Sequence, residues 1–238
     1  MQTPLDDTLI VLPAFNEEEV IASVIAEIRT KLPGAKCLVV NDGSIDDTTA
    51  VARAAGSDVA VLPYNLGVGG AMRLGFKYAI ANGYRNVVQI DSDGQHDPAS
   101  VPAMLERLGH ADIVIGARFA GEGDYSVSGP RRWAMSVLSV LLSRTTKAKL
   151  TDTTSGFKAC GPKAVAIFAE HFPAEYLGDT IEALVIAARA GCTIEQVPVT
   201  MRPRAGGRPS HNPFKSAAYL ARAFMAYGFA LTRPSVST

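Results

Sequence analysis

The sequence contains few cysteines, one tryptophan and no long apolar run. Its cysteines, Cys37, Cys160 and Cys192, have no CxxC spacing and cannot form a closed disulfide framework, so we expect small buried thiols in a reducing compartment. No stretch reaches the roughly 20 apolar residues of a membrane-spanning helix, and residues 1–7 lack the features of a signal peptide. We therefore expect a cytoplasmic protein that does not span a membrane.

Net charge is also absent, but the charges are unevenly distributed. Residues 1–129 contain 9 basic and 17 acidic side chains, whereas residues 130–238 contain 14 and 6. Such asymmetry suggests that the first half faces a cation and the second faces phosphate or an anionic surface. The alternative is that the two halves simply neutralise each other. Aromatic residues make up only 7%, and the isoelectric point is about 6.9, so we do not expect nucleic-acid binding.

Apolar runs and helical stretches alternate through the first half of the chain. The pattern predicts strands at 8–13, 36–42, 58–62, 86–92 and 112–117, with helices at 17–32, 46–55, 68–81 and 98–108. Nearly continuous apolar strands are typical of a mostly parallel sheet with helices on both faces. The sequence therefore predicts an α/β fold whose ligands bind beyond the carboxyl ends of the strands.

The second half begins with a Gly-rich loop at 121–130, followed by a predicted helix from Pro130 to about residue 147. This helix has basic ends and an apolar face that includes Trp133. It is either a core helix or an amphipathic helix at a membrane surface, and both interpretations stay open. A basic loop at 202–213 and a closing helix at 214–231 complete a single predicted domain over residues 1–238.

The run Asp91-Ser92-Asp93-Gly94-Gln95 follows a predicted strand and offers hard oxygen ligands. Two carboxylates two residues apart can bind one divalent cation and leave positions for substrate phosphates. An EF-hand is excluded, because His96 and Pro102 occupy the positions that need Gly and Glu. The alternative is an acidic turn that caps the next helix, for which Asp97 is the predicted N-cap.

Two further segments suggest contacts with a nucleotide or a phosphate. Asp42 lies at the end of the second strand, where it could accept hydrogen bonds from a ribose or a base. The glycines of residues 67–70 match neither a Walker loop nor a complete dinucleotide motif, so they predict a tight turn. Arg202, Arg204 and Arg208 lie in the basic loop, and guanidinium groups match phosphate oxygens.

Seven motifs occur in order over nearly the whole chain: LPAFNEE (12–18), VNDGSIDDT (40–48), NLGVG (65–69), DSDGQHDP (91–98), Arg118, SGFK (155–158) and RAGGRPS (204–210). Together they resemble family 2 glycosyltransferases of the GT-A fold. The branch they most resemble is that of the dolichyl- or polyprenyl-phosphate mannose or glucose synthases. One departure is the closing Gly-x-Ser-Lys of the synthases, where Ser210 is followed here by His211, so the donor and the acceptor stay open.

The resemblance implies a role for each matching residue. The nucleotide-sugar would contact Pro13, Ala14, Phe15, Glu17, Asp42, Asp91, Ser92 and Arg204. A divalent cation, Mg²⁺ or Mn²⁺, would bind Asp91, Asp93 and Gln95. The acceptor phosphate would contact Arg118, Arg132 and Ser136. The residues implied in catalysis are Asp93, Gln95, Arg118 and Arg204.

The resemblance further implies nucleotide and metal binding in residues 1–129 and acceptor binding in residues 130–238. The expected enzyme is a metal-dependent inverting transferase that moves a hexose from a GDP-mannose or UDP-glucose type donor to polyprenyl or dolichyl phosphate. It would associate peripherally with the cytoplasmic face of the membrane, and homo-oligomerisation stays open. One alternative is a hydroxyl acceptor, which needs a base such as Asp152, Asp179 or Glu182. Another is a non-catalytic nucleotide-binding protein.

Overall fold

The computed structural model describes residues 5–118, 130–173, 179–203, 224–225 and 227–229. Its strands are β1 (Thr8–Ala14), β2 (Lys36–Asn41), β3 (Asp58–Val61), β4 (Asn86–Gln89), β5 (Ile113–Arg118), β6 (Lys158–Cys160) and β7 (Ile194–Val199). Its helices are α1 (Ile21–Lys31), α2 (Thr48–Ala54), α3 (Gly67–Ala81), α4 (Val101–Arg107), α5 (Pro130–Thr146), α6 (Pro162–His171) and α7 (Asp179–Arg189). A 3-10 turn, Pro98–Ser100, precedes α4.

The strands form one sheet in the order β3-β2-β1-β4-β6-β5-β7. All neighbouring strands are parallel except for β6, which runs antiparallel to both β4 and β5. This confirms the predicted mostly parallel sheet. Because β1, β2 and β4 are parallel, their carboxyl ends and the loops that follow lie along one edge of the sheet.

Helices cover both faces of this sheet, as the apolar strands predicted. Along β1, Leu9 and Val11 pack into one core cluster, which also contains buried residues of α3, α5, α6 and α7. Ile10 and Leu12 pack into the other cluster, with buried residues of α1, α2 and α4. Successive side chains of a strand point to opposite faces, so one strand contributes to both cores.

Several predicted boundaries were wrong by a few residues. Helix α1 begins at Ile21 rather than at residue 17, and β4 ends at Gln89, before the Asp91 loop. The Pro130 helix is confirmed as α5, and Asp97 caps the 3-10 turn by accepting the Ala99 amide. The loop predicted at 121–130, the loop at 202–213 and the helix at 214–231 each lie mostly outside the described residues.

No helix within the described ranges is both long and apolar enough to cross a bilayer. The cysteines behave as the sequence predicted for two of the three positions. Cys160 and Cys192 are buried, and Cys37 is half-buried. Burial raises the pKa of the Cys160 thiol to about 12 and that of Cys192 to about 11. These two thiols are therefore protonated core side chains at neutral pH.

Candidate active site

A tight loop after β4 brings the predicted metal ligands to the carboxyl edge of the sheet. The amide of Gln95 donates to Asp93 Oδ1 at 3.0 Å, and the amide of Asp91 donates to His96 Nδ1 at 3.0 Å. Gly94 has φ 76°, which favours glycine at this turn. Asp93 is buried, whereas the Asp91 side chain is 37% exposed. The loop therefore presents two carboxylates in different environments.

Three neighbours of the Asp91 carboxylate were missed by the sequence reasoning. Gln89 Nε2 donates to Asp91 Oδ1 at 3.2 Å, and His96 Nε2 lies 3.6 Å from Asp91 Oδ2. A Cβ added to Gly156 would lie 3.0 Å from both carboxylate oxygens of Asp91. The His96 ring stacks on Phe157, with 4.8 Å between ring centroids. The SGFK motif, which contains Gly156 and Phe157, was the signal that could have placed this segment beside Asp91.

The donor set at this loop fits a hard divalent cation. Among the residues that the structure describes, no group of three or more His, Cys, Asp or Glu side chains is arranged to hold a metal ion. Mg²⁺ commonly takes only one or two protein carboxylates and completes its shell with water and substrate phosphates. Asp91 and Asp93 would hold such an ion, and the chemistry it supplies is neutralisation of a leaving diphosphate. Gln95 donates through Nε2 to the Arg202 carbonyl at 3.4 Å, so only its amide oxygen could bind a cation.

The loops after β1 and β2 are joined by hydrogen bonds between sequence-distant residues. Asn16 has φ 55°; its amide donates to Ser44 Oγ, and its side-chain oxygen accepts the Ile45 amide. The amide of Glu17 donates to Thr48 Oγ1, and that of Glu18 donates to Asp46 Oδ2. These amides bond to the second loop, which explains why α1 starts after residue 17. Phe15 is left 45% exposed beside them.

Pro13, Ala14 and Ser92 lie at the junction of β1 with the Asp91–Asp97 loop. Pro13 and Ala14 are buried, and the Ser92 hydroxyl donates to the Pro13 carbonyl at 2.9 Å. Ser92 thereby ties the Asp91–Asp97 loop to the end of β1. Contact of these three residues with a nucleotide-sugar stays a prediction.

Asp42 is buried at the end of β2, next to the glycine-rich turn. Its Oδ1 accepts the Leu66 amide at 2.7 Å, and Gly67 has φ 80° at the start of α3. Burial raises the pKa of Asp42, and the Leu66 and Gly67 amides oppose that effect. Gly67 therefore makes the predicted turn into α3, whereas Gly69 and Gly70 lie in the first turn of that helix. The role of Asp42 in nucleotide binding stays a prediction.

The predicted acceptor residues are described only in part. Arg118 ends β5, and Arg132 and Ser136 lie in α5, but the side chains of all three are outside the described part of the chain. Arg204 lies wholly outside it. The backbone nevertheless places Arg118 at the carboxyl end of a strand parallel to β7.

The three carboxylates considered as a general base all lie between residues 152 and 182. Asp152 is buried, and its Oδ1 accepts both the amide and the hydroxyl of Thr154, at 3.1 and 3.0 Å. Glu182 is buried on α7. Asp179 begins α7, with its side chain outside the described residues.

Arg202 does not act as the free phosphate ligand that its place in the basic loop suggested. Its guanidinium lies 2.9 Å from Glu27 and 3.5 Å from Asp97, and it donates to the His96 carbonyl at 3.3 Å. The sequence did not predict this because Glu27 is far from Arg202 along the chain. The guanidinium is therefore engaged within the protein.

Comparison with known proteins identifies the family that has this arrangement. The sequence profile described as "Glycosyl transferase family 2" matches residues 9–168, which include β1 to β6 and the Asp91–Asp97 loop. The chain belongs to glycosyl transferase family 2. The family 2 resemblance inferred from the seven motifs is confirmed, and the chain is a glycosyltransferase.

Two sequence relatives of this family 2 glycosyltransferase carry names from the polyprenyl-phosphate branch. The chain is 32% identical over 207 residues to an undecaprenyl-phosphate mannosyltransferase of Micrococcus luteus, covering 82% of this chain and 84% of the relative. It is 30% identical over 164 residues to a polyprenol monophosphomannose synthase of Mycolicibacterium smegmatis, covering 66% of this chain and 62% of the relative. The predicted synthase-like branch is therefore confirmed.

The fold of this glycosyltransferase matches a solved GT-A enzyme. The crystal structure of glucosyl-3-phosphoglycerate synthase from Mycobacterium tuberculosis, in complex with Mn²⁺, UDP and phosphoglyceric acid, superposes with a TM-score of 0.70 at 25% identity. The match covers 95% of this chain and 79% of the other. The GT-A fold prediction is confirmed. The Mn²⁺ and UDP in that complex support a divalent cation as a feature of such sites.

Proposed function

We propose that the protein transfers a hexose from a nucleotide-sugar to a polyprenyl phosphate, using a divalent cation. The observation that carries the proposal is the 32% identity with an undecaprenyl-phosphate mannosyltransferase over most of both chains. The Asp91–Asp97 loop supports it with two carboxylates suited to a metal-bound diphosphate. The donor is of the GDP-mannose or UDP-glucose type.

The proposed donor chemistry depends on stabilising the departing nucleoside diphosphate. Charge that develops on the leaving oxygen is best met by groups that are already in position, such as a bound cation and guanidinium groups. Asp91 and Asp93 would hold the cation, and Gln95 would add an amide oxygen. Arg204 would contact the diphosphate, while Phe15 and Asp42 would contact the nucleoside. Transfer would invert the configuration of the sugar.

A phosphate acceptor fits the charge distribution of the chain. A phosphate monoester has a second pKa of about 6 and is already a nucleophilic anion near pH 7, so it needs cations rather than a general base. Residues 130–238 carry 14 basic and 6 acidic side chains. Arg118, Arg132 and Ser136 would hold the phosphate at the cytoplasmic face of the membrane.

A second candidate acceptor is a soluble phosphorylated acid. The structural match that supports it is the synthase from M. tuberculosis in complex with phosphoglyceric acid, which covers 95% of this chain. Attack by a hydroxyl group would require a general base, for which Asp152 and Glu182 are the buried candidates.

Direct transfer assays separate these two functions. The purified protein is incubated with Mn²⁺ and either GDP-mannose or UDP-glucose, and the acceptors are a short polyprenyl phosphate, the matching alcohol and phosphoglyceric acid. We expect transfer to the polyprenyl phosphate alone. Equal rates with the alcohol, or transfer only to phosphoglyceric acid, would assign the hydroxyl-acceptor function instead.

The Asp93→Asn variant tests the role of the cation. It keeps an oxygen that can accept the Gln95 amide but removes the negative charge, so we expect kcat to fall by at least about 100-fold with the melting temperature preserved. The control is the parent protein with EDTA, which should lose activity and regain it with Mn²⁺. Full activity in EDTA would contradict the proposed cation dependence.

A further inference from the structure

Met201 and Arg202, which lie two and three positions after the end of β7, contact the Asp91–Asp97 loop. His96 and Met201 form an antiparallel bridge. The amide of Arg202 donates to the Gln95 carbonyl at 3.0 Å, and the Gln95 side chain donates back to the Arg202 carbonyl at 3.4 Å. The backbone of residues 201–202 therefore fixes the middle of the loop.

The Arg202 side chain extends this contact to two other parts of the molecule. Its Nη1 lies 2.9 Å from Glu27 Oε1 on α1. Its Nη2 lies 3.5 Å from Asp97 Oδ1 and donates to the His96 carbonyl at 3.3 Å. A planar guanidinium can meet several acceptors in fixed directions, whereas an ammonium is a single point charge. Arg202 thus connects α1 with both the backbone and the last carboxylate of the loop.

Lys31 shares the two carboxylates but not the loop carbonyl in the described contacts. Its Nζ lies 2.8 Å from both Glu27 Oε1 and Asp97 Oδ1. Burial raises the pKa of Glu27, but hydrogen bonds from Lys31 and Arg202 outweigh it and hold that pKa below its usual value. The four side chains form a charged network at neutral pH. Lys31 is therefore a matched comparison for Arg202 within the same network.

The two residues whose backbone Arg202 contacts, Gln95 and His96, also hydrogen-bond to Asp93 and Asp91. The Gln95 amide donates to Asp93 Oδ1, and His96 Nδ1 accepts the amide of Asp91. Arg202 therefore contacts residues that are themselves hydrogen-bonded to Asp91 and Asp93, without contacting either carboxylate directly. Partners of this kind set the position of metal ligands, and removing one commonly costs 10- to 100-fold in metal affinity.

We propose that Arg202 is a positioning residue that holds the Asp91–Asp97 loop in the geometry needed for the cation and the donor diphosphate. The identity of the cation and the diphosphate as ligands rests on the proposed function, but the contacts between Arg202 and the loop do not. The Arg202 side chain acts through the His96 carbonyl and the Asp97 carboxylate, whereas the bonds of residue 202 to Gln95 are made by its backbone and do not depend on that side chain. Its loss leaves both carboxylates present while their arrangement loosens.

The test compares Arg202→Met, Arg202→Lys and the control Lys31→Met. Calorimetry measures binding of UDP and of GDP in the presence of MnCl₂. Hydrogen exchange measures the amides of residues 91–97 in the metal-free protein, and thermal melts report global stability. We expect Arg202→Met to weaken Mn²⁺-dependent nucleotide binding by about tenfold and to speed exchange in the loop. Arg202→Lys should be intermediate, and Lys31→Met should match the parent in both readouts even where its melting temperature falls.

The two readouts separate this inference from the proposed function. A parent protein that binds neither UDP nor GDP with Mn²⁺ would contradict the proposed function, and loop exchange would still decide the role of Arg202. Unchanged exchange at residues 91–97 in Arg202→Met would overturn the inference. Equal effects of Arg202→Met and Lys31→Met would also overturn it, because they would reduce Arg202 to a general stabilising charge. If Arg202→Met does not fold, Arg202→Lys carries both comparisons.

Discussion

Gly156 shows how a single hydrogen in place of a side chain shapes the proposed active site. A Cβ at this position would lie 3.0 Å from both oxygens of Asp91 and from Gln89 Nε2, closer than ordinary van der Waals contact. The Gly156→Ala substitution should displace the Asp91 carboxylate by a few tenths of an ångström. We expect the Mn²⁺ concentration for half-maximal activity to rise about fivefold, equivalent to about 1 kcal/mol. Metal titration of the transfer rate measures it.

Gly161→Ala is the matched control, because Gly156 shortly precedes the three-residue strand β6 and Gly161 directly follows it. A Cβ there would have its nearest neighbour at 3.5 Å, an ordinary contact. This variant should show the parent's metal dependence, with comparable stability. If both alanine variants change the metal requirement equally, the effect comes from β6 itself rather than from crowding at Asp91.

At the scale of the elements, local sequence patterns predicted most strands, but they did not predict boundaries that depend on contacts between distant residues. The apolar runs located β1, β2 and β5 because a buried strand needs apolar side chains on both faces. The start of α1 was misplaced because the Glu17 and Glu18 amides bond to Thr48 and Asp46, in a loop about thirty residues away. The antiparallel β6 has three residues, too few for a periodic signal. Asp91 and Asp93 were predicted as metal ligands from their spacing, whereas the contact of Arg202 with their loop joins residues more than a hundred positions apart and has no local sequence pattern.

The junction of the β1 and β2 loops makes a pH-dependent contribution to stability. Burial raises the pKa of Asp46, but hydrogen bonds from the Thr48 hydroxyl and amide and the Glu18 amide outweigh it, so the pKa is lowered from its ordinary 3.8. A carboxyl whose pKa is lowered by folding stabilises the protein above its unfolded pKa, and this contribution is lost as the pH falls through the folded value. We expect Asp46→Asn to lower the melting temperature at pH 7 and to flatten its decline below about pH 4.

Asp47→Asn is the control for this prediction. Asp47 is exposed, and its described bonds are made by its backbone, the amide donating to Glu18 and the carbonyl accepting the Val51 amide, so the substitution should leave them intact. Melting curves from pH 3 to 7 for the parent and the two variants provide the comparison. A decline below pH 4 that is as steep in Asp46→Asn as in the parent would show that Asp46 does not contribute to it.

At the scale of the whole molecule, the face of the sheet that α5 covers carries exposed basic and apolar side chains. Helix α5 belongs to the core cluster on that face, and the hydroxyls of Thr145 and Tyr227 lie 2.9 Å apart, which brings Tyr227 against α5. Met225 and Phe229, four residues apart, are 49% and 61% exposed, and Val140 is 50% exposed. Arg144, in the last turn of α5, and Lys147, directly after that helix, are exposed. Such a combination is typical of a surface that binds anionic lipid.

This surface predicts peripheral binding to anionic vesicles that depends on charge and on apolar contact. Each basic residue near an anionic membrane contributes about 1 kcal/mol, so Arg144→Gln with Lys147→Gln should weaken partitioning about 30-fold. Met225→Ser with Phe229→Ser should weaken it at high salt as well, because apolar burial is not screened.

The control pair, Arg53→Gln with Arg107→Gln, lies on α2 and α4, which pack on the opposite face of the sheet. Co-sedimentation with vesicles containing anionic lipid measures all three. Equal losses in the control pair would indicate attraction by overall charge, and no sedimentation of the parent would remove the membrane surface from the proposed acceptor route.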